Sequence, residues 1–195
     1  MSDFYKNIKL INNPEKIDVL VNKNNKLNKD YVPNDLELID ACYSENKQYL
    51  RKEARYYFEE MCKKALDEGF HIMAVSTYRS YEYQEKLFNN YVLEKGMEYA
   101  DMCSARSGHS EHQTGLAVDI SDTSGDYDNF TDTKEFIWVK DNAYKYGFIL
   151  RYPEDKTNIT GFKYEPWHYR YVGKYLAKYI YENNLSFEEY KKLSN

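Results

Sequence analysis

The sequence contains four histidines, His71, His109, His112 and His168, and the residues around two of them can do chemistry. Taken singly, a histidine is more often a packed or surface residue than a ligand. His112, however, stands in Ser110-Glu-His112-Gln-Thr-Gly115-Leu-Ala117-Val-Asp119, and His168 closes Glu165-Pro-Trp-His168. Gly115 lets the chain turn back tightly, so a loop histidine and a strand aspartate can face one point. Two histidines and one carboxylate are a ligand set of catalytic zinc, which leaves a fourth position to water and lowers that water's pKa to roughly 7.

Hydrolysis at such an ion needs two further groups. Glu165, a carboxylate that is not a ligand, is the candidate to take a proton from water and pass it to the leaving amine. Arg79, in Thr77-Tyr-Arg-Ser80, is the candidate to steady the oxyanion. Alone, Glu165 reads as a solvated loop acid and Arg79 as an exposed turn residue. An SxHxxGxAxD string followed by an ExxH string outweighs those readings. In a regular strand, positions i and i+3 point to opposite faces. Pro166 makes irregular backbone plausible there, so Glu165 and His168 can turn towards one site.

The elements that must position these groups follow from periodicity and caps. The first 35 residues or so, broken by Pro14 and Pro33, read as an arm with one short strand near Asp18–Asn22. Leu50, Ala54, Tyr57, Phe58, Met61, Cys62, Ala65 and Leu66 recur at helical spacing, and Gly69 can close that helix. A strand over His71–Ser76 precedes a helix capped by Ser80 that runs to Gly96. A short helical piece near Glu98–Cys103 leads into the loop that carries His112, and Leu116–Ile120 reads as a strand. The turn-rich segment 121–132 follows, and Asp132 with Glu135 has capping-box spacing for a helix ending at Gly147. Phe148–Arg151 and Pro166–Val172 read as strands. A helix over Lys174–Asn183 follows, and Ser186 with Glu189 opens a last one. Helices in blocks between strands that can pair as hairpins predict an α+β fold, a single domain over 1–195 with a small, mostly antiparallel sheet.

The bulk composition limits the function. A hydrophobic share of 42% against 30% charged residues is enough to build a core in a chain of 195 residues. The net charge of -5 leaves no basic surface for a nucleic-acid backbone. No segment approaches ~18 consecutive apolar residues, so no membrane span is expected. The first 20 residues are polar and lack a basic start followed by an apolar stretch. With Met1 as the natural start, the expected location is the cytoplasm. Cys42, Cys62 and Cys103 form no CxxC pair, and Cys62 falls on an apolar helix face.

The sequence resembles the Van-type D-alanyl-D-alanine metallopeptidases, which comprise VanX dipeptidases, VanY carboxypeptidases and bifunctional VanXY enzymes. The likeness runs from "LVNKNNKL" near Leu20 through "YRSYEYQ", "SEHQTGLAVDI" and "YGFILRYPEDK…ITG…YEPWHYRYVG" to Gly173. It implies a Hedgehog/D,D-peptidase-like fold with zinc in a surface cleft, held by His112, Asp119 and His168, and Glu165 as base. It also implies that Arg79 stabilises the transition state, Gln84 and Ser110 bind the substrate's terminal carboxylate, and Trp167 packs near the terminal D-Ala methyl. Many relatives have Pro-Gly where this chain has Ser107-Gly108. His109 has no role in the pattern, and His71 reads as structural. The implied substrates are D-Ala-D-Ala and peptidoglycan precursor peptides, and the implied consequence of a VanXY-like enzyme is vancomycin resistance. Rival readings are an L,D-carboxypeptidase that trims tetrapeptides, a phage-type endolysin that cuts L-Ala-D-Glu bonds, and a non-catalytic zinc module of the Hedgehog type.

Overall fold

The fold is built around an alternating strand, Ala117–Ser121, that is buried on both faces. The structure is a computed structural model that describes residues 4–126 and 129–194. The first three residues of the expected arm, and two residues of the turn-rich segment 121–132, lie outside that range.

In chain order, β1 (Lys9–Leu10), β2 (Asn25–Lys26), β3 (Leu36–Leu38) and β4 (Tyr49–Arg51) precede helix α1 (Lys52–Asp67). Strand β5 (Met73–Ser76), helices α2 (Tyr81–Lys95) and α3 (Met97–Cys103), and strand β6 (Ala117–Ser121) follow. Helix α4 (Lys134–Asn142), strand β7 (Phe148–Leu150), the one-turn α5 (Thr157–Thr160) and strand β8 (His168–Tyr171) come next. Helices α6 (Lys174–Glu182) and α7 (Phe187–Leu193) end the chain. The central sheet has the order β5-β6-β8-β7 and is antiparallel throughout; β1 and β2 form a separate parallel pair. This is the predicted α+β class.

The alternation along β6 and β8 divides the molecule. Val118, Ile120, Tyr169 and Tyr171 face a core shared with α1 residues Ala54, Phe58, Met61, Cys62 and Ala65. Asp119, His168 and Arg170 face the other side. Cys62 is a core residue, as its helical position predicts. Gly69 adopts φ +86° behind α1, Ser80 accepts the Tyr83 N–H at the start of α2, and Ser186 with Glu189 forms a capping box on α7.

Several predicted boundaries move: β5 starts at Met73 and not His71, and β8 starts at His168 and not Pro166. Leu50 belongs to β4 and not to the helix, because its backbone pairs with Glu37 of β3. The segment 18–22 is not a strand; Asn22 makes one isolated bridge with Asn25, while Val19 and Val21 pack into a small cluster with Leu27. The α4 cap is Thr133, whose hydroxyl accepts the Phe136 N–H, and not Asp132, which sits in the preceding 3₁₀ turn. That helix also stops at Asn142, and a 3₁₀ turn over Ala143–Tyr146 completes the run to Gly147. Among the described residues, no helix is long and apolar enough to cross a membrane.

Gly115 closes the loop that returns the chain into β6. It sits at φ +64°, and a Cβ there would stand 2.7 Å from Leu36 Cδ2 and 3.1 Å from Arg51 Cγ. Gly115→Ala is therefore expected to lower stability by at least about 1 kcal/mol from the left-handed backbone alone. Urea unfolding checks this, and a wild-type midpoint in the variant would contradict it.

Candidate active site

The cleft is assembled by strand pairing. Asp119 and His168 are direct cross-strand partners in the β6–β8 ladder, so their side chains leave the sheet on the same face. His112 arrives from a 3₁₀ turn, Glu111–Thr114, opened by Ser110, whose hydroxyl accepts the His112 N–H. Glu165 arrives through a turn: the His168 N–H donates to the Glu165 carbonyl at 3.2 Å, with Pro166 between them. That turn brings Glu165 Oε2 to 3.5 Å from His168 Nδ1 and replaces the regular strand that would have parted them.

The donor atoms of His112, Asp119 and His168 lie within 4.8 Å of one another, and all three residues are buried. Asp119 stands between the rings, with Oδ2 3.4 Å from His112 Nε2 and Oδ1 3.2 Å from His168 Nδ1. His112 Nδ1–H donates to the Thr77 carbonyl at 2.6 Å, which turns the Nε2 lone pair towards Asp119. His112 Nε2 and Asp119 Oδ1 are buried without a hydrogen-bond partner. Two imidazole nitrogens and a carboxylate oxygen converging in this way, with buried orphan acceptors, fit a divalent cation of the zinc type.

The surrounding charges are displaced from their usual ranges. Burial pushes the Glu165 carboxyl up to about 7, with Asp119 adding to the rise while His168 and Arg79 oppose it. Burial, followed by the Arg79 charge, pulls His112 down to about 4, against the attraction of Asp119. Burial also depresses His168, but Asp119 and Glu111 overcome it and lift this ring to about 9. Burial raises Asp119, yet the two histidines hold it well below the carboxylate range.

Every residue given a site role in the sequence lines one cleft of about 90 Å³: Arg79, Gln84, Ser110, His112, Asp119, Glu165, Trp167 and His168. Arg79 Nη2 lies 3.9 Å from Asp119 Oδ2, and its Nε has no partner. Gln84 is oriented away from carboxylate donation: its Nε2 donates to Ser104 Oγ at 3.2 Å and to the Ala105 carbonyl at 2.7 Å. The hydroxyl hydrogens of Ser104 and Ser110 remain for a ligand, since both oxygens are acceptors in the bonds above. Ser104, Tyr152 and Phe162 also line the cleft and went unremarked in the sequence; nothing in their spacing marks them. His109 lies outside that lining, with its Nδ1–H donating to the Asn22 carbonyl at 2.9 Å, and it helps to dock the arm.

The sequence matches the family described as "D-alanyl-D-alanine carboxypeptidase", VanY, over residues 47–174. The chain belongs to this family. Among its curated relatives, the putative carboxypeptidase YodJ of Bacillus subtilis (strain 168) is 48% identical, over 94% of this chain and 70% of that protein. The bifunctional D-Ala-D-Ala dipeptidase and carboxypeptidase VanXYC of Enterococcus gallinarum is 37% identical, over 88% of this chain and 91% of that protein. Among solved structures, the LdcB LD-carboxypeptidase has a TM-score of 0.89 at 44% identity, covering 98% of this chain and 96% of its own. VanYB in complex with D-alanine-D-alanine gives 0.79 at 35%, covering 91% and 98%. A VanY mutant from a VanB-type resistance cassette, in complex with Zn(II), gives 0.77 at 36%, covering 89% and 97%.

The raised Glu165 makes a prediction about pH. In the metal-free protein, a carboxyl whose folded pKa of about 7 exceeds the ordinary 4.5 favours folding at low pH, and that contribution is lost as pH rises through 7. Glu165→Gln, which mimics the protonated form, should melt above wild type at pH 8 and level with it below the ordinary carboxyl pKa. Equal melting temperatures at pH 8 would contradict the shift.

Proposed function

We propose that this chain is a zinc-dependent carboxypeptidase that removes a C-terminal D-alanine from peptidoglycan stem peptides. One observation carries the reading: His112, Asp119 and His168 converge with Glu165 and Arg79 in a single small cleft. Zinc, when bound by those three residues, polarises the scissile carbonyl and makes a water nucleophilic at neutral pH. Glu165, poised near neutrality by burial, takes the water's proton and delivers it to the leaving amine. Arg79 faces the carbonyl oxygen as charge develops on it. Ser110 and Ser104 donate to the terminal carboxylate, Gln84 holds Ser104 in place, and Trp167 packs on the terminal methyl. An internal peptide bond would leave those hydroxyls without their partner, which favours exopeptidase over endolysin action. Glu165 and Arg79 would have no purpose in a non-catalytic module.

Two bonds are candidates for cleavage. The greater identity to LdcB than to VanYB supports the L,D bond of tetrapeptides as the preferred substrate. The VanY family match and the likeness to VanXYC support the D,D bond of pentapeptides and D-Ala-D-Ala, the substrates implied by the sequence resemblance, and only this activity would lead towards vancomycin resistance.

Purified protein is expected to carry about one zinc per chain. Asp119→Ala should lose metal and activity together, whereas Glu165→Ala should keep zinc and lose activity by roughly 10²-fold or more. Arg79→Ala should lose about 10²–10³ in kcat. Released D-alanine from tetrapeptide, pentapeptide and D-Ala-D-Ala ranks the bonds, and tetrapeptide should be turned over fastest. Faster pentapeptide or dipeptide cleavage selects the D,D reading. Equal rates on amidated and free C-termini would overturn the carboxypeptidase assignment, and a Glu165→Ala variant at wild-type speed would overturn the base.

A further inference from the structure

Glu111 touches no substrate in the scheme above, yet it is a fully buried charge, 1% exposed, one residue before His112. Its Oε1 accepts from Arg151 Nε at 2.8 Å and from Arg170 Nη1 at 2.8 Å. Its Oε2 lies 3.7 Å from His168 Nε2, and neither atom has a hydrogen-bond partner of its own. The other ring nitrogen of His168, Nδ1, faces Asp119 and Glu165. The ring is thus bracketed by carboxylates, Asp119 and Glu165 towards the metal-ligand cluster and Glu111 behind it. For His112 the same job of fixing the ring is done by the Thr77 carbonyl, on the nitrogen away from the cluster.

We propose that Glu111 is the positioning residue of His168: its Oε2 takes the Nε2–H of that ring and so fixes Nδ1 as the nitrogen that faces the metal. The inference rests on the reading of His112, Asp119 and His168 as ligands. A neutral imidazole carries one proton, so the acceptor behind the ring decides which nitrogen keeps a lone pair for the metal. The two arginines hold Glu111 through its other oxygen and leave Oε2 free for the ring. They also tie it to both ends of the chain. Arg151 donates to Glu188 of α7 at 2.8 and 2.6 Å, and Arg170 Nη2 donates to the Ile17 and Val19 carbonyls of the arm at 2.9 and 2.8 Å.

Glu111→Gln tests this directly. With its oxygen retained by the arginines, the amide presents N–H groups to His168 Nε2, which favours the wrong tautomer and puts a proton on Nδ1. Zinc affinity of the full chain is measured by competition with a chromophoric chelator, alongside thermal unfolding of the metal-free protein. The folded variant should bind zinc about 10–100-fold more weakly than wild type. Ring ¹⁵N–¹H spectra of zinc-loaded wild type need no substitution, and hold the test if the variant does not fold. His168 should show a slowly exchanging Nε2–H with the metal on Nδ1, a signature that a merely structural glutamate would not set. Unchanged zinc affinity in folded Glu111→Gln, or His168 protonated on Nδ1, overturns the proposal while leaving the ligand set intact. Wild type that takes up no zinc overturns the ligand reading itself.

Discussion

The pairing register of β6 and β8 is the constraint on which the site depends. Asp119 opposite His168 places a carboxylate and an imidazole on one face of the sheet, while Val118 opposite Tyr169 supplies the core on the other. A slip of one residue would send Asp119 into the apolar core and Val118 into the cleft. The apolar alternation therefore protects the ligand geometry: the residues that stabilise the fold are those that forbid any other register. Everything else is delivered to that pair by turns, with Gly115 returning His112 from one side and the Pro166 turn bringing Glu165 from the other.

The site concentrates buried charge, which a stable fold ordinarily avoids. Glu111, Arg151 and Arg170 have side chains with 0% exposure, and their mutual pairing satisfies groups that would otherwise be strongly destabilising. This network lies directly behind the cleft, on the same sheet face as the ligands. Arg170 follows His168 by two residues on β8, so the strand that supplies a ligand also supplies a counter-charge for Glu111. The same low-dielectric surroundings raise the Glu165 carboxyl to about 7, while His112 and His168 hold Asp119 ionised against its burial. Stability of the fold and reactivity of the cleft thus draw on one arrangement of charges.

The groups with strong local chemistry were legible in the sequence. Ser80, Gly69 and the Ser186–Glu189 pair act where their types predict, because a cap depends on the few residues beside it. The five catalytic and ligand candidates meet in one cleft, because their motif spacing encodes two specific turns. What was not legible depends on distant partners. Leu50 reads as helical until β3 claims its backbone. Glu111 sits within a motif as an unremarked variable position, since its partners Arg151 and Arg170 lie far along the chain. The strand order β5-β6-β8-β7 places the last strand of the sheet in sequence beside β6, a choice that no local pattern carries.

The central claim is that a fixed strand register makes His112, Asp119 and His168 a single metal site. The most direct measurement is anomalous scattering at the zinc absorption edge from crystals of the zinc-loaded protein. One strong peak within bonding distance of His112 Nε2, the Asp119 carboxylate and His168 Nδ1 is the predicted result. A peak that excludes Asp119 or lies on His168 Nε2, or crystals grown with zinc that show no peak in the cleft, would contradict it.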